Sequence, residues 1–422
     1  MTDRMDKALG IFILGGFLGL MLHSYWGNWP VDLSALYFAA YFFDAGAYEL
    51  VYAPDGQAFW DQAYPEWRAL ARSQGYEATL LPAYVYPPLW AAVLGPWASV
   101  VSFTSFANTF LLVFLGAIIG MILMTYQMAR RIAEAAGTPL IPFALFCLIG
   151  AFLAGSTSYG SLSFQLGQPQ ILVSFLLMLC LYLLSCNNDL SAGVVLAFAA
   201  AIKLMPAILV VLFIMERRWR ALGAFVVAGA LLAGMSVIVA GWPMHQALLE
   251  RIGHLTSQIS ISRLGIGIET VLYHFGQVAT GDGQWQIERP ELIEKPAWLG
   301  ISTRALLIAG LLAIWSSTCA VLPPVRLWVR FTLIFLLVVT TASLSWLHYL
   351  VLPALLALVA ASLAPGRGVR LVLLGGAVLT CLPVYLWLLD TPLAGYGEVY
   401  LHLALIMATA LALLQAARKH RI

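Results

Sequence analysis

The chain has 422 residues, 62% of them hydrophobic and only 10% charged, with a formal net charge of +2. Soluble globular proteins carry about 25% charged residues, so this composition excludes a soluble protein with a large core and describes an all-α polytopic membrane protein. No basic run interleaves with aromatics, which excludes nucleic acid as a partner.

A membrane-crossing helix needs about 20 apolar residues, fewer where neighbours shelter it. On that basis the sequence predicts about twelve spans, at roughly 8–26, 103–128, 139–157, 169–186, 190–204, 205–216, 219–241, 300–320, 327–347, 349–364, 369–389 and 398–417. The first has no small-residue cleavage site and reads as a retained anchor. Between spans one and two lies a loop at 27–102 with seven acids and two arginines. Within it, Leu33 to Phe43 and Trp60 to Arg72 read as interfacial helices. The apolar stretch 86–101, opened by Pro87 and Pro88, reads as a further interfacial helix that does not cross. The two spans near 200 share a break at Lys203-Leu204-Met205-Pro206, because Pro206 cannot donate to a continuous helix. A second long loop occupies 242–299. No internal repeat or separate soluble domain is visible, so residues 1–422 read as one integral-membrane domain.

Fourteen of the 22 Lys and Arg residues fall on the side that holds both termini, and seven fall on the other, with Lys203 apart. The positive-inside rule then puts both termini in the cytoplasm and both long loops outside. The five cysteines fall within or beside apolar segments with no CxxC, and read as small core residues. His245, His254 and His274 lack metal-ligand spacing, and no DxD-like pair occurs, so no metal is expected.

Several positions are candidates for chemistry. Asp32 follows the first span, and a carboxylate near hydrocarbon is costly unless used or paired. It reads either as a general base for an acceptor hydroxyl or as the N-cap of the helix that starts at Leu33. Tyr86, in Tyr84-Val85-Tyr86-Pro87-Pro88, sits on a rigid edge where it can bond a sugar or phosphate, or serve as an interfacial anchor. Gln168 and Gln170, in Gly167-Gln168-Pro169-Gln170, open a span and can bind hydroxyls or simply cap it. Lys203 can pair with a lipid phosphate or snorkel to the interface. His348, in Ser345-Trp346-Leu347-His348-Tyr349, sits at an outward hairpin and can bind phosphate or orient a carboxylate. Arg263 can bind phosphate or be a solvated loop charge.

Taken in order, Asp32 and Tyr37 as D-x4-Y, Tyr86-Pro87-Pro88, Gly167-Gln168-Pro169-Gln170, Lys203 with Pro206, and Ser345 with His348 resemble glycosyltransferase family 87. This resemblance covers most of the chain. It implies the GT-C fold and a polyprenyl-phosphate sugar donor, with mannose the best-known sugar. It also implies an inverting single displacement with Asp32 as base, and His348 near the donor phosphate or the base. Lys203, Tyr37, Tyr86, Gln168, Gln170 and Arg263 are then expected donor or substrate contacts. Beyond the donor, the expected partners are membrane lipids and a glycolipid or glycan acceptor, in a bacterial inner membrane with the site facing outward, and no cofactor. Gln170 and Tyr349 stand where the family often has Asn and a second His. The competing readings are a transporter or flippase of lipid-linked or anionic solutes, and a non-catalytic assembly subunit.

Overall fold

The computed structural model describes residues 2–52, 64–77, 80–363 and 365–421. Among them the chain is almost wholly helical, and its sheet is one antiparallel ribbon pairing Gln258–Ile261 with Glu291–Glu294. Six helices among the described residues are long and apolar enough to cross a membrane: Asp3–Tyr25, Phe103–Ala136, Trp219–Ala240, Ala297–Thr318, Pro323–Thr341 and Tyr396–Arg418. The remaining apolar runs form shorter helices, among them Phe143–Gly155, Gln170–Ser185 and Asp189–Ile202. Several of the expected spans are therefore shorter than a full bilayer crossing.

Pairing of the helices follows from local chemistry. Asp6 in the first helix accepts from the backbone amides of Phe143 (2.8 Å) and Ala144 (3.0 Å), capping a helix 137 residues away. An acid at a helix N-terminus satisfies orphan N–H groups and meets the positive end of the dipole. The first helix and Phe143–Gly155 consequently run side by side. Phe143 packs on Gly10 and Phe17 on Gly155, where a Cβ would sit 2.5 Å and 2.7 Å from the ring atoms. The 34-residue helix Phe103–Ala136 starts at Ser102, whose hydroxyl accepts from the Ser105 amide, and stops at Gly137 in the left-handed conformation.

The two ends of the bundle differ. At one end the buried Glu216 carboxylate binds Arg326 (3.0 Å) and Arg330 (2.9 Å), Arg131 donates to the Ser185 carbonyl, and Leu322 bonds to His420. Such a pair is held by mutual hydrogen bonding, since each charge alone would be costly there. At the other end lie the helices Val31–Asp44, Pro65–Ser73, Pro88–Ala98 and Trp242–Thr256, and the ribbon. Helix Val31–Asp44 overlaps the expected 33–43 closely. Residues 60–63 of the expected 60–72 helix lie outside the described residues, and the helix observed is Pro65–Ser73. Helix Pro88–Ala98 packs along Val31–Asp44 and has 11 residues, too few to span. Cys147 and Cys180 are buried as expected, but Cys319 is exposed at the end of its helix.

Candidate active site

Asp32 lies in the first turn of helix Val31–Asp44, whose N-cap is Pro30, with no side-chain cap. The carboxylate is thus not the helix cap that the sequence allowed. It lines a cavity and accepts a hydrogen bond from Gln168 Nε2. Gly167 makes that contact possible. It ends helix Ser158–Leu166 at φ +62°, and a Cβ there would lie 2.5 Å from Pro30 Cβ and 3.0 Å from Leu33 Cβ. Only a glycine combines that backbone with so close an approach. The turn that carries Gln168 therefore seats directly on the turn that carries Asp32.

Burial pushes the Asp32 carboxyl up to about 7. The Lys203 charge and the Gln168 hydrogen bond both pull it down, but less strongly. Desolvation disfavours the charged form, and opposite charge or donated hydrogen bonds favour it. A carboxyl poised near neutrality both exists as carboxylate and holds a proton well, which is what a general base requires.

Lys203 is the residue after helix Asp189–Ile202, in extended backbone (φ −148°), and a 3-10 turn at Met205–Leu209 follows it. Trp90 Nε1 holds this break by donating to the Ala201 carbonyl at 2.7 Å. The Lys203 ammonium donates to Tyr349 Oη and stands 4.2 Å above that ring's centroid. One of its three N–H groups is so used, which leaves two for a ligand.

His348 sits on the 3-10 turn Leu347–Leu350. The hairpin before it is tied to the second long loop: Ile266 donates to the Ser345 carbonyl (3.1 Å) and Leu347 to the Leu264 carbonyl (3.0 Å). Lys295 Nζ reaches Ser343 Oγ (2.5 Å) and Glu269 Oε1 (2.8 Å), closing a polar anchor beneath the hairpin. The His348 side chain is buried, 3% exposed, and neither ring nitrogen has a hydrogen-bond partner among the described residues. Gln168 Oε1 is also buried without a partner. Each such orphan costs about 1–3 kcal/mol, and both belong to residues that line the same cavity.

That cavity has a volume of about 470 Å³. Asp32, Tyr86, Gln168, Lys203, His348 and Tyr349 supply its polar wall. Leu248, Ile252 and Leu255 of helix Trp242–Thr256, with Leu204, Met205 and Trp346, supply an apolar one. Tyr86 is positioned by the Pro pair and by its neighbours: Tyr52 Oη donates to the Tyr86 carbonyl (2.7 Å) and Tyr84 Oη to the Pro87 carbonyl (2.8 Å). One carboxyl, one lysine with unused N–H groups and one imidazole thus share a space with a hydrocarbon-like wall. A ligand with a polar, anionic head and an apolar tail satisfies both.

The structure brings together Asp32, Tyr86, Gln168, Lys203 and His348, and places three expected contacts elsewhere. Tyr37 is in the core, donating to the Val101 carbonyl (2.8 Å) and accepting from Gln74 (2.9 Å). Gln170 points along its own helix to Ser174. Arg263 forms an ion pair of 2.6 Å with Glu398, a carboxylate only 2% exposed that needs a cation. None of the three lines the cavity. The sequence reading missed the apolar wall from Trp242–Thr256 and the Tyr349 contact to Lys203. The wall had a signal, since Leu248, Ile252 and Leu255 recur at helical spacing. Among the described residues no cluster of three His, Cys, Asp or Glu side chains is placed to hold a metal.

No curated protein matches the chain. The family model described as Glycosyltransferase family 87 matches residues 84–340, more than half of the chain. The matched stretch holds Tyr86, Gln168 and Lys203, while Asp32 and His348 flank it, so their membership of the site rests on the cavity geometry. The chain belongs to glycosyltransferase family 87, a GT-C-type family, and is a membrane glycosyltransferase.

Proposed function

We propose that this enzyme transfers a sugar, mannose first among candidates, from a polyprenyl-phosphate donor to a hydroxyl of a lipid or glycan acceptor at the outer face of a bacterial cytoplasmic membrane. The observation that carries the proposal is the shared cavity, in which Asp32, Lys203 and His348 face an apolar wall. The prenyl chain rests against Leu248, Ile252 and Leu255, and its phosphate meets the two spare N–H groups of Lys203 and the imidazole of His348. Asp32 takes the proton of the acceptor hydroxyl as that oxygen bonds to the anomeric carbon. The bond from that carbon to the phosphate oxygen breaks, and the lipid phosphate leaves with its electron pair. One displacement inverts the anomeric centre and needs one base and no covalent nucleophile. Charge growing on the leaving phosphate is offset by the Lys203 ammonium and by a hydrogen bond from the His348 imidazole. Outward placement is supported by the Lys and Arg asymmetry, since the site lies at the end opposite most of those residues.

The test is transfer from a radiolabelled polyprenyl-phosphate sugar by purified Asp32→Asn protein. Donor binding should persist while turnover falls by roughly 10²–10⁴-fold, the usual value of a general base. Full activity in that variant would remove Asp32 from the reaction. Movement of solute across proteoliposomes by wild-type protein without any transfer would replace the proposal with a flippase.

A further inference from the structure

A second cavity of about 300 Å³ lies apart from the catalytic one, between helix Arg367–Leu379 and the helices Phe143–Gly155, Val351–Leu358 and Tyr396–Arg418. Its wall on the first of these is one face, Arg370, Leu373, Leu374, Ala377 and Thr380, at helical spacing. A Cβ built on Gly376, also on that wall, meets nothing within 4 Å, so the helix there faces open space. The lining is apolar except for Arg370 at one end, Tyr159 and Thr380 at the other, and Thr409 on the wall from helix Tyr396–Arg418. From Arg370 to Thr380 the slot runs about 15 Å, half of a ~30 Å hydrocarbon core and so the depth of one leaflet.

The charged end decides the occupant. Residues 365–389 and 399–421 include Arg367, Arg370, Arg418, Lys419 and Arg421 and no Asp or Glu. Lys419 Nζ lies 3.1 Å from where a Cβ on Gly366 would stand, so the two segments meet at the mouth. Arg370 uses its Nε on the Pro365 carbonyl (3.0 Å), and its terminal nitrogens have no hydrogen-bond partner among the described residues. A guanidinium held at the stem with its fork free is arranged for a phosphate.

We infer that this slot binds one acyl chain of an anionic glycerophospholipid from the leaflet at the basic end, with the lipid phosphate on Arg370. The tail fills a narrow apolar channel one leaflet deep, and the head meets a cluster of cations on two segments that carry no acid. This lipid is not a substrate: the slot opens at the end of the bundle remote from Asp32, and none of its lining belongs to the catalytic cavity.

The experiment is native mass spectrometry of the purified full chain titrated with phosphatidylglycerol or phosphatidylcholine of the same acyl length. Wild type should retain one phosphatidylglycerol and release phosphatidylcholine. Arg370→Gln should weaken phosphatidylglycerol binding by at least about tenfold, the value of one charge-assisted contact, and Arg370→Lys should recover part of it. Gly376→Phe should abolish retention by filling the channel, and since glycine is a poor helix former this change does not threaten the fold. Equal retention of the two lipids by wild type, or unchanged binding in both Arg370→Gln and Gly376→Phe, would overturn the inference. So would displacement of the bound phosphatidylglycerol by polyprenyl phosphate, which would make the slot part of the donor path.

Discussion

The pH dependence of transfer follows from the position of Asp32. Burial raises its carboxyl from the ordinary 3.8 to about 7, so about half of the enzyme carries the base at pH 7 and roughly a tenth at pH 6. An ordinary carboxylate would remain almost fully ionised at both. As a result, kcat/KM should fall about fivefold between pH 7 and 6, then about tenfold for each further unit. Initial rates at subsaturating donor between pH 5 and 9 measure this limb. Its position should respond to the two neighbours that stabilise the carboxylate. Lys203→Met removes a charge that lowers the Asp32 pKa and Gln168→Leu removes a donated hydrogen bond, so both should move the limb to higher pH. A rate that stays flat from pH 8 to 5, or a limb that moves down in Lys203→Met, would refute the electrostatic account. The stability counterpart has a definite sign. A group whose pKa is raised on folding favours the fold at low pH, and that contribution is lost as pH rises through about 7. Asp32→Asn should therefore melt higher than wild type at pH 8 and lose that advantage near pH 4.

Three further outcomes are expected. Gly167→Ala must strain a left-handed backbone, at about 1–2 kcal/mol, and push Pro30 and Leu33 away. Because a displacement of about 1 Å can cost about 10²-fold in rate, kcat should drop far more than thermal stability does. Arg263→Ala should leave the donor KM unchanged, against the sequence expectation, while lowering the melting temperature because Glu398 is left buried without its cation. Glu216→Gln strips Arg326 and Arg330 of their carboxylate at the far end of the bundle, and should cost about 3–5 kcal/mol in denaturant titrations without moving the pH profile.

Much of the architecture was legible in the sequence because its cause is local. Apolar run length, Pro at 87, 88 and 206, and the Lys and Arg asymmetry act within a helix or at its ends. They located the helix after the first anchor, the non-crossing Pro88–Ala98 and the break at Lys203. The ordered motifs supplied the family and named five of the residues that line the cavity. The sequence could not say which of these residues face one another. Asp32 and Gln168 are 136 residues apart and meet only because Gly167 lets two turns touch. Arg263 looked like a phosphate ligand because its partner Glu398 lies 135 residues away, on helix Tyr396–Arg418. Tyr37 fits D-x4-Y equally well whether it faces the cavity or the core. The contact with Gln74 and the Val101 carbonyl decided for the core. Composition and periodicity thus determined a membrane protein and most of its helices, and the ordered motifs its family. Tertiary packing alone decided which polar groups found partners among the described residues, and which, such as the His348 imidazole, did not.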